Sequence, residues 1–204
     1  SLYLINGTQV KMNPTQSPVS WNHFLISHQI PKSALVVDAT CGNGYDTLFL
    51  ANHVLTSSGI LHAMDIQDEA LKRTRQRLFE NFESYFEKSL FFHHQCHSQL
   101  DFLEDHSVDL FVYNLGYLPT FNKEITTLKE STLLSLKRAL QKLKVGGIIS
   151  MICYPGHDAG SIETQAVLQW LKELPRHFSV IQHHWLNRSL NAPKLIWLHQ
   201  RSEN

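Results

Sequence analysis

Apolar residues follow two rhythms along this chain. Short apolar runs at 34–40 ("ALVVDAT"), 59–65 ("GILHAMD"), 90–95 ("LFFHHQ"), 107–114 ("SVDLFVYN") and 147–154 ("GIISMICY") read as strands. The first is continuous, as in a strand buried on both faces. Between them, apolar residues three and four apart predict helices over 44–55, 67–82, 126–143 and 161–174. The 67–82 segment carries Asp68 and Glu69 near its start and basic residues later, as the helix dipole favours. "KVGG" (144–147) reads as a stop for the 126–143 helix, and Pro175 closes the next one. The last two runs, 178–186 and 194–200, have no helix between them, so they are predicted to pair antiparallel.

Strands alternating with helices over short connections build a parallel α/β sheet with right-handed crossovers. Five such units followed by a terminal hairpin match the plan of the Rossmann-like class I methyltransferase fold. That fold is a seven-stranded, mostly parallel sheet with an antiparallel terminal hairpin and helices on both faces. The chain is expected to be a single domain over 1–204, with an N-terminal segment and helix in 1–30 and a core over 31–204. Open sheets of this type bind ligands beyond the carboxyl ends of the strands, where strand order reverses. The residues to interrogate are therefore Asp38–Gly44, Asp65, Cys96–Ser98, Asn114–Pro119 and Tyr154–Gly160.

Composition narrows the function classes. A chain of 204 residues that is 43% hydrophobic can bury a real core. No apolar run approaches the roughly 20 residues that span a bilayer, and the start of the sequence lacks a signal-peptide plan. The three cysteines, Cys41, Cys96 and Cys153, are far apart and form no Cys-x-x-Cys pair. They predict neither a disulfide framework nor a zinc site, and fit a cytoplasmic protein. Net formal charge is zero, unlike a non-specific nucleic-acid binder. The 13 histidines are scattered without ligand spacing, so no metal is expected.

The first strand ends in "VVDATCGNGYDT". Gly42 and Gly44 remove side chains where backbone must approach a ligand. A nicotinamide dinucleotide loop would want a third glycine where Thr47 stands. Asp38, four residues before the first glycine, would repel a pyrophosphate and welcome a cation. Asp-x-x-x-Gly-x-Gly is the pattern of S-adenosylmethionine sites, whose ligand carries an ammonium and a sulfonium. Asp65, about 20 positions on, can accept hydrogen bonds from ribose hydroxyls. The candidate cofactor residues are Asp38, Thr40, Gly42, Asn43, Gly44, Asp46, Thr47, Asp65, Ile66, Gln67, His97, Ser98 and Asn114. Gln67, His97 and Ser98 are placed near the adenine.

The fourth strand ends in "NLGYLP" (114–119), similar to the Asn/Asp-Pro-Pro-Tyr motif of methyltransferases that act on amino nitrogens. Methyl transfer requires a nitrogen lone pair aimed at an activated carbon with water kept out. The Asn114 oxygen and a following carbonyl can accept the amine N–H groups. Gly116 lets backbone come close, and Tyr117 offers a flat face to a base. Together "VVDATCGNGYDTLFLA", "DIQ", "NLGYLP", "ITT", "GGIISMICYPGH" and "LN…NAPKLI" resemble, over roughly residues 18–200, the family long labelled rRNA methylases and now assigned as MnmM/YtqB-like tRNA wobble-uridine methyltransferases. The resemblance implies S-adenosylmethionine-dependent conversion of 5-aminomethyl-2-thiouridine to 5-methylaminomethyl-2-thiouridine in the tRNA anticodon loop. The family usually reads Gly-Gly-Asp-Lys after this motif, whereas this chain has Thr120-Phe121-Asn122-Lys123. The family's "YPGHPGG" is here Tyr154-Pro155-Gly156-His157-Asp158-Ala159-Gly160.

An alkyl amine must lose a proton to attack. His157 is the expected base, oriented by Asp158, with Asn114 and Tyr117 as the other catalytic candidates. Gly116, Tyr117, Lys123, Tyr154 and His157 are the expected substrate contacts. For tRNA, Lys123 and Lys129 lie toward the substrate edge, whereas Lys72, Arg73, Arg75 and Arg77 read as a solvated helix face. Recognition is expected to use the N-terminal segment and the 118–127 and 154–160 loops; a homodimer stays open. Two other readings stay open: methylation of an rRNA or DNA base amine or a small amine, and a non-catalytic S-adenosylmethionine or RNA binder.

Overall fold

The computed structural model describes residues 2–5, 8–11, 13–82, 88–116 and 129–202. The chain begins with strands β1 (Leu2–Ile5) and β2 (Thr8–Lys11), which pair antiparallel with Leu2 opposite Lys11. No strand was expected in this segment. Its signal was available in Asn6-Gly7, a dipeptide favoured between hairpin strands. Helix α1 (Pro18–Gln29) follows, with the Ser17 hydroxyl accepting from the Ser20 N–H and proline at the first helical position.

The core alternates as expected: β3 (Leu35–Asp38), α2 (Tyr45–Val54), β4 (Ile60–Asp65), α3 (Asp68–Asn81), β5 (Leu90–His94), β6 (Val108–Leu115), α4 (Lys129–Lys142), β7 (Leu143–Cys153), α5 (Asp158–Lys172), β8 (Phe178–His183) and β9 (Lys194–Gln200). Seven strands form one sheet in the order β5-β4-β3-β6-β7-β9-β8. β3 to β7 run parallel, and β9 pairs antiparallel with both β7 and β8. This is the expected class I methyltransferase plan.

Three details differ from expectation. Residues 95–107 carry the chain from β5 to β6 by turns, so one of the five units lacks its helix. "KVGG" does not end α4, which stops at Lys142. It lies inside β7, where the register shifts between Val108–Leu143 and Leu110–Ile148. Gly146 takes φ +84° there, a conformation glycine adopts without strain. Helix α5 begins three residues early, because His157 caps it.

Each face of the sheet buries its own apolar cluster. On one face Val37, Phe111, Tyr113, Ile149, Met151 and Ile196 meet Leu136 and Ala139 of α4 and Val167 and Leu171 of α5. On the other, Val36, Leu61, Leu110, Val112, Ile152 and Leu195 meet Ile26 of α1, Leu50 and Val54 of α2, and Leu78 of α3. Alternate residues of the same strands supply the two clusters, as strand pleating dictates.

Asn22 and Ser150 form a polar contact within the second face. The Asn22 Oδ1 of α1 accepts from the Ser150 hydroxyl at 2.6 Å and from the Trp197 indole N–H at 2.9 Å. Asn22 is 1% exposed. These bonds join α1 to β7 and β9, more than a hundred residues away, and set where the helix lies across the sheet. Replacing Asn22 with Leu strands two buried donors, so Asn22→Leu should lose roughly 2–4 kcal/mol of stability in urea denaturation. Adding Ser150→Ala should recover about 1 kcal/mol by removing one stranded donor.

Candidate functional site

β3 and β6 lie side by side at the centre of the sheet, and the chain leaves their carboxyl ends toward opposite edges. That is the topological switch point where such sheets open a crevice. Val112 pairs with Asp38, and two residues on, the Asn114 N–H donates to Thr40 Oγ1 at 2.7 Å. The residues singled out at the ends of the first and fourth predicted strands therefore adjoin.

The glycine loop is held from three sides. Gly42 and Gly44 take φ +53° and +79°, in the left-handed region. A Cβ on Gly44 would meet the Thr74 Cα at 2.8 Å, so α3 packs directly on the loop. The Thr74 hydroxyl donates to the Gly42 carbonyl at 3.2 Å, and the Arg77 Nε–H to the Asn43 carbonyl at 2.7 Å. Arg73 reaches the Asn43 Oδ1 at 3.4 Å, and Arg77 also lies 3.8 Å over the Tyr45 ring. Lys72 pairs with Asp68 and Glu69 of its own helix, and Arg75 lies over Phe92. The basic stretch of α3 thus braces the loop and its own helix.

The Asp65 carboxylate ends β4 and accepts the Gly42 N–H on Oδ2 and the Gln67 N–H on Oδ1, each at 2.9 Å. Each oxygen keeps a lone pair for a further donor such as a hydroxyl. Burial pushes the acid up, and the Gln67 and Gly42 N–H groups oppose it. The next residue, Ile66, is 56% exposed and offers apolar surface beside that carboxylate. His97 and Ser98 lie just past β5, both nearly buried. The His97 ring meets the Tyr113 edge, and burial pushes its pKa down to about 4. Its Nδ1 is buried without a hydrogen-bond partner among the described residues. Ser98 donates to the Cys96 sulfur.

Asp38 is fully buried. It accepts the Thr47 hydroxyl at 2.6 Å and the Thr40 N–H at 3.3 Å. Burial, and then the charge of Asp46, push it up to about 7, against the bonds from Thr47 and Thr40. An acid so placed calls for a cation. A glycine loop with bare backbone, a carboxylate with spare lone pairs, an apolar shelf, an orphaned ring nitrogen and a buried acid in need of positive charge fit S-adenosylmethionine.

Asp46 and Thr47, expected at the cofactor, already have partners within the protein. The Thr47 hydroxyl is taken by Asp38. Asp46 accepts His23 Nε2 on Oδ1 at 2.7 Å and Asn114 Nδ2 on Oδ2 at 3.0 Å. Burial raises Asp46, but the bond and charge of His23 and the bond from Asn114 lower it further, so the net shift is downward. His23 of α1 was not singled out from the sequence, where it is one of 13 histidines without distinguishing spacing.

Tyr154 stands over Gly116, where a Cβ would come within 3.3 Å of its ring. Burial pushes its phenol up to about 12, with the Asp46 charge adding and a hydrogen bond from the Asn114 side chain opposing. His157, the expected base, also has a structural role. As N-cap of α5, its Nδ1 accepts the Gly160 N–H at 3.1 Å. Tyr117, Asn122, Lys123 and the 118–127 loop lie outside the described residues. Lys129 faces Glu130 of its own helix at 3.7 Å. Among the described residues no group of three or more metal-ligating side chains occurs, and no helix is long and apolar enough to cross a membrane.

Comparison with known proteins places this arrangement. A family model described as "Putative rRNA methylase" matches residues 61–199. The tRNA (mnm(5)s(2)U34)-methyltransferase, chloroplastic, of Arabidopsis thaliana is 37% identical over 186 residues, covering 88% of this chain and 68% of that protein. A crystal structure named as a "putative rRNA-methylase" from Clostridium thermocellum shares 32% identity with a TM-score of 0.83, covering 91% of this chain and 98% of that one. A methyltransferase from Streptococcus mutans, solved in complex with SAH, the demethylated product of S-adenosylmethionine, shares 29% identity with a TM-score of 0.77, covering 90% and 97%.

Asp38 sets a pH signature for cofactor binding. Below pH 7 its carboxyl is protonated and neutral, and binding a cation there must expel that proton. Affinity for S-adenosylmethionine should therefore rise about tenfold from pH 6 to pH 8 and level off above. Calorimetry in two buffers of different ionisation enthalpy should show proton release at pH 6. Asp38→Asn should bind weakly and with a flat pH profile.

Proposed function

We propose a substrate for this chain on the premise that it belongs to the "Putative rRNA methylase" family and is an S-adenosylmethionine-dependent methyltransferase. The acceptor is the amino nitrogen of 5-aminomethyl-2-thiouridine at the wobble position of tRNA, and the product is 5-methylaminomethyl-2-thiouridine. The Arabidopsis relative carries that nucleoside in its name. The observation that carries the reading is Asn114, an amide at the end of β6 whose nitrogen is turned to Asp46, beside the glycine loop.

The proposed roles follow from the geometry. Asp38, Thr40, the Gly42–Gly44 loop, Asp65, Ile66, Gln67, His97 and Ser98 would hold S-adenosylmethionine, which supplies a methyl group activated by its sulfonium. Asn114 Oδ1 would accept an N–H of the acceptor amine and so direct its lone pair. Gly116 and Tyr154 would wall the pocket beside it, and His157 would hold the 154–160 loop as a cap and RNA contact. Tyr117 and Lys123 keep their proposed roles against base and phosphate.

The amine enters water-side as an ammonium and must shed a proton. Burial and the neighbouring sulfonium disfavour the ammonium. The Asp46 charge works the other way and draws the cationic amine toward the cleft. One proton leaves to solvent overall, and the product leaves as a secondary ammonium. The tRNA would meet the N-terminal segment and the 118–127 and 154–160 loops.

Purified protein with S-adenosylmethionine should convert tRNA carrying 5-aminomethyl-2-thiouridine, read by nucleoside mass spectrometry. Asn114→Ala should lower turnover at least about a hundredfold. Methyl transfer to rRNA or a free amine, with none to this tRNA, would replace the proposed substrate. Binding without turnover of any amine would leave a non-catalytic binder.

A further inference from the structure

We propose that His23 and Asp46 form a positioning pair that sets the orientation of the Asn114 amide toward the acceptor; this deepens, and rests on, the amine reading of the site. The chain of contacts is short. His23 Nε2 is 2.7 Å from Asp46 Oδ1, and Asp46 Oδ2 is 3.0 Å from Asn114 Nδ2. The His23 and Asp46 side chains are each 11% exposed, so water competes weakly for either bond.

The chemistry of the partners makes the orientation directional. An Asn amide has one face that donates and one that accepts, and little in its shape tells them apart. An ionised carboxylate only accepts. It therefore requires the nitrogen of Asn114 to turn toward α2. With the nitrogen held to Asp46, the Asn114 oxygen is left to accept from an amine. A flipped amide would present N–H groups to the substrate's own N–H groups and reject it.

His23 holds the carboxylate to that task. Its donated bond favours the ionised form of Asp46, whose net shift is downward despite burial. The imidazole is fixed in turn by stacking on Phe49, with centroids 3.8 Å apart and planes 7° apart. Its neighbour Asn22 anchors α1 to Ser150 and Trp197. The N-terminal helix thereby supplies a working part of the site. Asp46, expected from the sequence to bind the cofactor, acts on the acceptor side instead.

The test compares His23→Ala, His23→Gln and Asp46→Asn in the full chain, with thermal melts confirming folding. Turnover is measured with the amine acceptor and S-adenosylmethionine affinity by calorimetry. His23→Ala should lower kcat about tenfold with cofactor Kd changed less than about threefold. His23→Gln, which can still donate to Asp46, should recover most of the loss. Asp46→Asn, an amide that can turn either way, should lower kcat about a hundredfold with a similarly small change in Kd. A cofactor Kd that weakens in step with kcat overturns the proposal and makes Asp46 a cofactor ligand. Wild-type kcat in His23→Ala, or no recovery in His23→Gln, overturns the role of His23.

A readout without turnover separates this from the choice of substrate. In ¹⁵N spectra the Asn114 side-chain amide, assigned by its loss in Asn114→Ala, should be shifted in the wild type by its carboxylate partner. It should move toward ordinary amide positions in Asp46→Asn and His23→Ala. An unchanged signal in both overturns the pair even if the tRNA is methylated. A shifted signal in a protein that leaves this tRNA unmethylated upholds the pair and sinks the substrate.

Discussion

Two carboxylates kept out of water in one cleft set the terms for everything around them. Asp38 and Asp46 cannot stay there without donors. Asp38 takes the Thr47 hydroxyl and the Thr40 N–H, and Asp46 takes His23 and Asn114. Each donor comes from a different part of the chain. The turn after β3, the start of α2, the end of β6 and the N-terminal helix must all arrive together for the charges to be satisfied. The cost of an unpaired buried charge, several kcal/mol per ion, is what ties these elements into one geometry.

The two acids are not equivalent, and their difference divides the cleft. Asp38 has only neutral donors, so burial and its charged neighbour push it up to about 7. It is unsatisfied until positive charge arrives. Asp46 has the His23 ring beside it and stays low. One acid thus favours a cationic neighbour, and the other is already bonded to a neighbouring amide. Environment sets apart two carboxylates a few residues apart on the chain, as it commonly does in active sites.

α3 shows how a charged surface can mislead. Its Lys72, Arg73, Arg75 and Arg77 form a basic stretch in a neutral protein, expected from the sequence to be a solvated helix face. The structure instead turns Arg73 and Arg77 to Asn43, lays Arg75 on Phe92 and pairs Lys72 within its helix. These residues stiffen the glycine loop from behind. The loop's shape therefore depends on α3 as much as on its own glycines, since Thr74 fills the space that any side chain on Gly44 would need.

Local physics made much of this legible in the sequence. Strand and helix periods gave the order of the core elements, because burial on a sheet face or helix stripe repeats every two or every 3.6 residues. The glycines at 42 and 44, Asp38 before them and Asp65 after them could be read from spacing, because one turn joins Asp38 to the glycines and the next parallel strand carries Asp65 alongside. Partners distant in sequence were decided only by the folded structure. His23 reaches Asp46 because Asn22 bonds to Ser150 and Trp197, 128 and 175 residues away. α5 starts early because His157 caps it, and "KVGG" is a strand irregularity because β7 begins directly at Leu143. A sequence states which groups can donate or accept. Which partner each one meets depends on the contacts that close the fold, and those long-range pairings carry no local signal.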